Sequence, residues 1–285
     1  MLPTYSFDKN AVSLMPKRRT ESNKGDYGRV LCICGSVGMC GAATLSAKAA
    51  YRTGAGLVDI FTPEENRVPL QISLPEAIVT AYNEKELEEK LRASVKRADS
   101  IVVGCGLGGS DLSEKLLTLL LPILDKPRVI DADALNIISK NEPLKKYLKG
   151  AVITPHPLEF SRLSHIPVED ILRDTPAAAQ KFARTHGTVC VLKTHATAVS
   201  DGGEPVYVNN SGNNGMATGG SGDVLAGIIG GLLAQGKNST LSLSKTAALG
   251  VYIHGKAGDI AAARLGEYSL MASDIIDAIP EVLKN

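Results

Sequence analysis

Short apolar runs alternate with longer amphipathic stretches along this chain. The run at 29–34 is apolar on both alternating faces, as expected of a strand covered by helices on each side. Runs at 57–62, 77–82, 100–104, 128–130, 151–154 and 188–193 read as further strands. Between them lie helical patterns: AATLSAKAAYRT closed by Gly54, 64–73, the charged 84–97, 111–124, a helix opening at Ala134, and 174–186 stopped by Gly187. Two more helices are expected at 241–265 and 272–283, while runs at 197–200 and 205–208 joined by the turn Asp201-Gly202-Gly203 imply an antiparallel pair. The pattern predicts an α/β fold, a three-layer α/β/α arrangement around a mostly parallel central sheet with an antiparallel edge. No repeat, linker or low-complexity tract interrupts it, so a single domain over residues 1–285 is expected.

One stretch organises the rest. Residues 209–236, NNSGNNGMATGGSGDVLAGIIGGLLAQG, place five glycines between Gly212 and Gly222, then Asp223, and run on into an apolar small-residue helix. A glycine-rich turn feeding a helix is an anion site, because the first-turn N–H groups are unpaired and the helix dipole adds positive charge there. A carboxylate beside a bound phosphate is repelled by it, so Asp223 calls for a reason. It is either a helix cap or a base aimed at a substrate hydroxyl, and the density of glycines before it favours the base.

Composition narrows the function classes. Lys plus Arg number 31 against 30 Asp plus Glu, so no broad field attracts nucleic acid or an anionic membrane. Aromatics are 4% of residues with no Trp, which removes stacking platforms for single strands. Cys32, Cys34, Cys40, Cys105 and Cys190 form no C-x-x-C pair and lie mostly in or beside apolar runs, implying reduced, buried thiols. No run approaches the ~20 apolar residues of a membrane span and the N-terminus lacks a signal-type core, so a cytoplasmic protein is expected.

Further candidates sit at strand ends. GCGLGG at 104–109 matches G-x-G-x-x-G, with Asp131 near the offset of a ribose-binding acid, and alone would indicate a dinucleotide-dependent oxidoreductase. Asp131 and Asp133 could hold a metal or a substrate hydroxyl; alternatively Asp133 caps the helix at Ala134 and Asp131 bonds local backbone. His156, between Pro155 and Pro157, is placed to present its imidazole into a crevice, and Glu159 either caps the next helix or joins the site. Lys193 could reach a phosphate as a point charge, or stay solvated. His165, His186 and His254 read as structural.

Taken together these motifs resemble a known family. GMATGGSGDVLAGIIGGLLAQG is similar to the G-x-G-D anion-hole signature of the ribokinase-like superfamily. RVLCICGSVGMCGAATLSAKAAYRTGAGLV, VVGCGLG, VIDADALN, ITPHPLEF and VLKTHATAV resemble, in order, the nucleotide-dependent NAD(P)H-hydrate dehydratases within it. The likeness runs from about residue 24 to the final helices.

The resemblance implies a repair lyase that dehydrates the S epimer of hydrated NADH or NADPH, consuming ADP or ATP with Mg²⁺. It implies that Ala43, Gly106, Gly108, His156 and Asp223 contact the hydrated dinucleotide. Lys193, Thr194, His195, Ala196 and Thr197, with Gly219, Gly220, Ser221 and Gly222, would hold the nucleotide, and Asp223 would be the catalytic base. It implies no metal ligands by position. A separate epimerase would have to supply the S form, since the epimerase domain often fused to this one is not expected here, and a homo-oligomer, perhaps a tetramer, is expected. One departure stands out: Asn213 and Asn214 precede Gly215 where the family often carries proline, an exchange expected to loosen the turn without removing a donor. The rival within the superfamily is a small-molecule kinase that releases a stable phosphate ester.

Overall fold

The computed structural model describes residues 2–123 and 125–284. In chain order its strands and helices are β1 (Thr4–Tyr5), β2 (Arg29–Ile33), α1 (Cys40–Arg52), β3 (Leu57–Pro63), α2 (Arg67–Ser73), β4 (Ile78–Tyr82), α3 (Leu87–Arg97), β5 (Ser100–Val103) and α4 (Asp111–Leu120). The chain continues through β6 (Arg128–Ile130), α5 (Ala132–Lys140), β7 (Val152–Ile153), α6 (Pro157–Ser164), α7 (Val168–Arg173), α8 (Thr175–His186) and β8 (Val189–Leu192). It closes with β9 (Ala198–Ser200), β10 (Val206–Val208), α9 (Ser221–Ala234), α10 (Leu243–Leu265) and α11 (Ala272–Leu283).

All strands join one sheet in the order β1-β10-β9-β8-β7-β6-β5-β2-β3-β4. From β4 through β8 every pairing is parallel; β9 runs against both neighbours, with Tyr207 opposite Val199, giving the expected antiparallel side. The outermost strand there, β1, was not expected in the polar lead: two residues pair with β10, Thr4 opposite Val206. Its partner lies some two hundred residues away, so no local pattern announces it.

The two faces of the sheet differ in side-chain size. Leu31, Ile33, Ile101, Val103, Ile130 and Ile153 enter one core, under α3 to α8; Val30, Cys32, Val102, Val129 and Val152 enter the other, under α1, α9 and α10. Small residues on the second face admit α9 at close range. A Cβ on Gly230 would stand 2.2 Å from Val102 Cγ2, one on Gly227 2.1 Å from Ser46 O, and one on Gly231 2.6 Å from Thr53 Oγ1. Each helical glycine costs about 1 kcal/mol in propensity, offset here by backbone contact that clamps α9 between the sheet and α1. Val224, Ile228 and Leu232 on its far side pack into a third core with α10 and α11. The helix that begins beside Asp223 is therefore held on every side.

Boundaries differ from the pattern where side chains intervene. Asn83 Oδ1 accepts from Lys85 N and Glu86 N, so the expected helix at 84–97 starts only at Leu87. The segment 64–73 splits into a 3-10 turn, Glu64–Asn66, and α2. The helix expected over 111–124 ends at Leu120 and passes into a 3-10 turn, Leu121–Ile123; Leu124 lies outside the described residues. No helix among the described residues is long and apolar enough to cross a membrane.

Candidate active site

Loops that follow the carboxyl ends of β6, β7 and β8, together with residues 209–223, enclose a cleft of about 1000 Å³. This is where open α/β sheets place their ligands. His156, Lys193, Thr194, His195, Thr197, Gly220, Ser221, Gly222 and Asp223 all line it. Ala43, Gly106, Gly108, Ala196 and Gly219 are not on its wall. Ala43 is fully buried. Gly106 abuts the 35–41 loop, a Cβ there falling 2.7 Å from Ala42 Cβ. Gly108 donates its N–H to Asp133 Oδ2 at 2.8 Å.

The turn into α9 is unusually open. Gly220, with φ +90°, is the N-cap and offers no side chain to the helix. Among the described residues the N–H groups of Gly219, Gly220, Gly222 and Asp223 have no acceptor, and that of Ser221 only a long contact of 3.4 Å to Thr218 O. Of these, Gly220, Ser221, Gly222 and Asp223, at the positive end of a fourteen-residue helix, line the cleft, and Gly219 lies just behind them. Asn213 holds the preceding loop firm: its Oδ1 accepts from Gly215 N at 3.1 Å and its Nδ2 donates to Asp259 Oδ1 at 3.3 Å.

Asp223 is pushed up to about 6, first by burial and then by the negative charge of Asp131. Asp131, 1% exposed, accepts from Lys193 Nζ at 3.0 Å and Thr154 Oγ1 at 2.7 Å. Burial alone would lower Lys193, but Asp131 and Glu159 outweigh it, so the ammonium is held above its ordinary range. Lys193 is thus an ion-paired residue of the cleft, not a solvated one. The alternative reading, with Asp133 capping the helix and Asp131 bonding local backbone, does not hold. The helix α5 opens at Ala132 rather than Ala134 with no side-chain cap, because Asp131 is drawn to Lys193 and Asp133 to Gly108.

His156 serves as the N-cap of α6, its Nδ1 accepting from Leu158 N and Glu159 N while Glu159 Oε2 accepts from His156 N. Glu159 therefore both caps and lines the cleft. Burial, followed by Lys193, lowers His156, and burial raises Glu159. His254, taken as structural in the sequence, lines the cleft with Nε2 3.3 Å from Ser221 Oγ, and burial takes it down to about 4. It lies in a long apolar helix whose pattern carries no sign of a site.

The glycine motif at 104–109 does not make a dinucleotide turn. A Cβ on Gly104 would strike Asp131 O at 1.9 Å, so its space is filled by protein, and α4 is closed by Ser110 Oγ accepting from Ser113 N. The oxidoreductase reading loses its motif.

Comparison with known proteins agrees. The family model for NAD(P)H-hydrate dehydratase matches residues 30–281. The chain belongs to the NAD(P)H-hydrate dehydratase family. It is 37% identical over 273 residues to the ADP-dependent (S)-NAD(P)H-hydrate dehydratase of Enterococcus faecalis, covering 95% of this chain and 89% of that one. It is 40% identical to the bifunctional NAD(P)H-hydrate repair enzyme of Moorella thermoacetica, covering 96% of this chain and 52% of the relative. The chain thus spans about half the length of such bifunctional relatives. In structure it resembles a ribokinase-like superfamily protein from E. faecalis, with a TM-score of 0.88, 34% identity and coverage of 99% and 95%. It also resembles the ADP/ATP-dependent NAD(P)H-hydrate dehydratase of Bacillus subtilis co-crystallised with ATP/Mg²⁺, with a TM-score of 0.83, 27% identity and coverage of 99% and 98%. The fold is ribokinase-like.

Proposed function

We propose that this protein is an ADP-dependent (S)-NAD(P)H-hydrate dehydratase, able to use ADP or ATP to restore hydrated NADH or NADPH. The observation that carries the reading is Asp223, aimed into the cleft at the end of a row of backbone donors without acceptors. Hydroxide is a poor leaving group. Asp223 takes the proton of the C6 hydroxyl as that oxygen bonds to the terminal phosphorus of the nucleotide and the bridging P–O bond breaks. The ring nitrogen's lone pair then expels phosphate, and loss of a C5 proton restores the dihydronicotinamide. The amides of Gly219, Gly220, Ser221 and Gly222 stabilise the transferring group. Lys193, Thr194, His195, Ala196 and Thr197 hold the nucleotide, and His156 serves the hydrated dinucleotide from the cleft wall, while Ala43, Gly106 and Gly108 stand behind that wall and would act only by shaping it.

Mg²⁺ takes oxygen ligands, usually one or two carboxylates with nucleotide phosphates and water. Cys105, Asp131 and Asp223 each bring one possible ligand atom within 4.8 Å of the others, but a thiol does not suit Mg²⁺, and Asp131 Oδ1 already takes two donors. Glu159, a buried carboxylate on the cleft wall, fits an ion carried in on the nucleotide. Glu159 would hold Mg²⁺, which when bound shares the negative charge of the phosphates.

The reading includes a cytoplasmic enzyme that works as a homo-oligomer, a tetramer by family expectation, served by an epimerase that supplies the S epimer. The test is incubation with hydrated NADH, Mg²⁺ and ADP or ATP. Recovery of dihydronicotinamide absorbance is expected. A lasting phosphate ester with no recovery would indicate a kinase, and recovery without nucleotide would overturn the mechanism.

A further inference from the structure

The steps above make no use of Asp131, yet three strand ends converge on it. Lys193 after β8 and Thr154 after β7 donate to Oδ1 at 3.0 and 2.7 Å, and Cys105 after β5 lies 3.7 Å from Oδ2. The next residue, Ala132, has φ +47°, a left-handed backbone that a non-glycine residue keeps only where its surroundings over-determine it. The strained turn begins α5 while leaving the preceding carboxylate free of any capping bond.

What that carboxylate holds is the Lys193 ammonium. Nζ also lies 4.0 Å from Glu159 Oε2 and only 3.3 Å from where a Cβ on Gly222 would stand. Any side chain at 222 would crowd the ammonium; glycine lets it sit against the first turn of α9, beside the open amides.

We propose that Asp131 is a positioning residue for nucleotide binding, fixing Lys193 against the anion turn so that the phosphates of the nucleotide meet a cation already in place. A free lysine surrenders much rotamer freedom when it grips a ligand, and one held by a buried carboxylate has lost it beforehand. Asp131 borders the cleft but is 1% exposed, and the donors of Thr154 and Lys193 both sit on its Oδ1, so it acts through the ammonium rather than by direct contact. The inference rests on the reading that this turn binds nucleotide phosphates.

Calorimetric titration with ADP and with adenosine, both in EDTA, tests it without recourse to turnover. Asp131→Asn is expected to weaken ADP binding about ten-fold or more while leaving adenosine within about two-fold, and to add nothing in a Lys193→Met background. Thr154→Val, which removes one donor to the carboxylate, should lower ADP affinity about three-fold and lose that effect in the same background; it carries the test if Asp131→Asn does not fold. Equal losses for adenosine and ADP, losses that multiply with Lys193→Met, or an unchanged ADP affinity would each overturn the proposal. Failure of the wild-type protein to bind ADP would instead defeat the nucleotide reading itself, and is visible before any variant is compared.

Discussion

Two of the glycine-rich turns that feed helices in this molecule, before α4 and before α9, spend their glycines differently. At 104–108 the glycines are engaged by protein: Asp131 O crowds Gly104, Ala42 crowds Gly106, and Asp133 takes the N–H of Gly108; only Gly109 at its end has free space beside it. The helix that follows is capped by Ser110. At 219–222 the space beside Gly219 is empty, the helix has no side-chain cap, and the donors point at a cleft. One turn packs strands and loops together. The other is left open beside the cleft, with Asp223, the proposed base, at its end.

The sharpest way to break the contrast is Asp223→Asn. Turnover of hydrated NADH should fall about 10²- to 10⁴-fold, the range for loss of a positioned base, while ADP affinity measured by titration is retained. A variant that keeps turnover would reduce Asp223 to a cap.

Alanine at Gly219 and at Gly109 sharpens it further. Neither site has a neighbour within 4 Å of the added Cβ and neither needs a left-handed backbone. Both variants should keep thermal stability within about 0.5 kcal/mol, as surface changes do. Only Gly219→Ala should lose turnover, by roughly 10- to 100-fold, because its Cβ would stand beside the amides proposed to take the phosphate. Equal activities would erase the distinction between the turns.

The pH profile gives the next handle. With Asp223 at about 6, kcat/KM should be level above that pH and fall ten-fold per pH unit below it as the base is protonated. An acid limb near the ordinary aspartate range would contradict the burial argument.

The smallest effect is on stability. Burial holds the folded-state value of Asp223 above the unfolded value, so its charged form weakens the fold. The penalty is absent below about pH 4, grows as pH rises towards 6, and is constant above, reaching at most about 3 kcal/mol for a carboxyl raised this far. Asp223→Asn should therefore raise the chemical-denaturation midpoint at pH 8 and leave it unchanged at pH 3.5 or so. A variant less stable than wild type at pH 8 would show the carboxylate to be a structural partner.

Much of this was readable in the chain because it is local. The runs 29–34, 57–62 and 100–104 are strands because residues of both parities are apolar, and the dense glycines before Asp223 mark a turn that needs close backbone approach. The match of GCGLGG to a dinucleotide fingerprint misled for the same reason: periodicity registers that glycines are needed, not what fills the space beside them. The Thr4–Tyr5 strand, the place of His254 on the cleft wall, and the ion pair of Asp131 with Lys193 all join residues far apart in sequence. Composition and spacing hold no record of such pairings.

By itself, then, the sequence determined the alternation of strand and helix, the parallel sheet and the position of the glycine turn before Asp223, since each follows from side chains within a few residues of one another. Tertiary structure decided which amides stayed open, which carboxylate was buried against which ammonium, and how strongly burial raised Asp223. Those outcomes depend on what packs against each group from distant segments, and on the loss of water that only the assembled fold imposes.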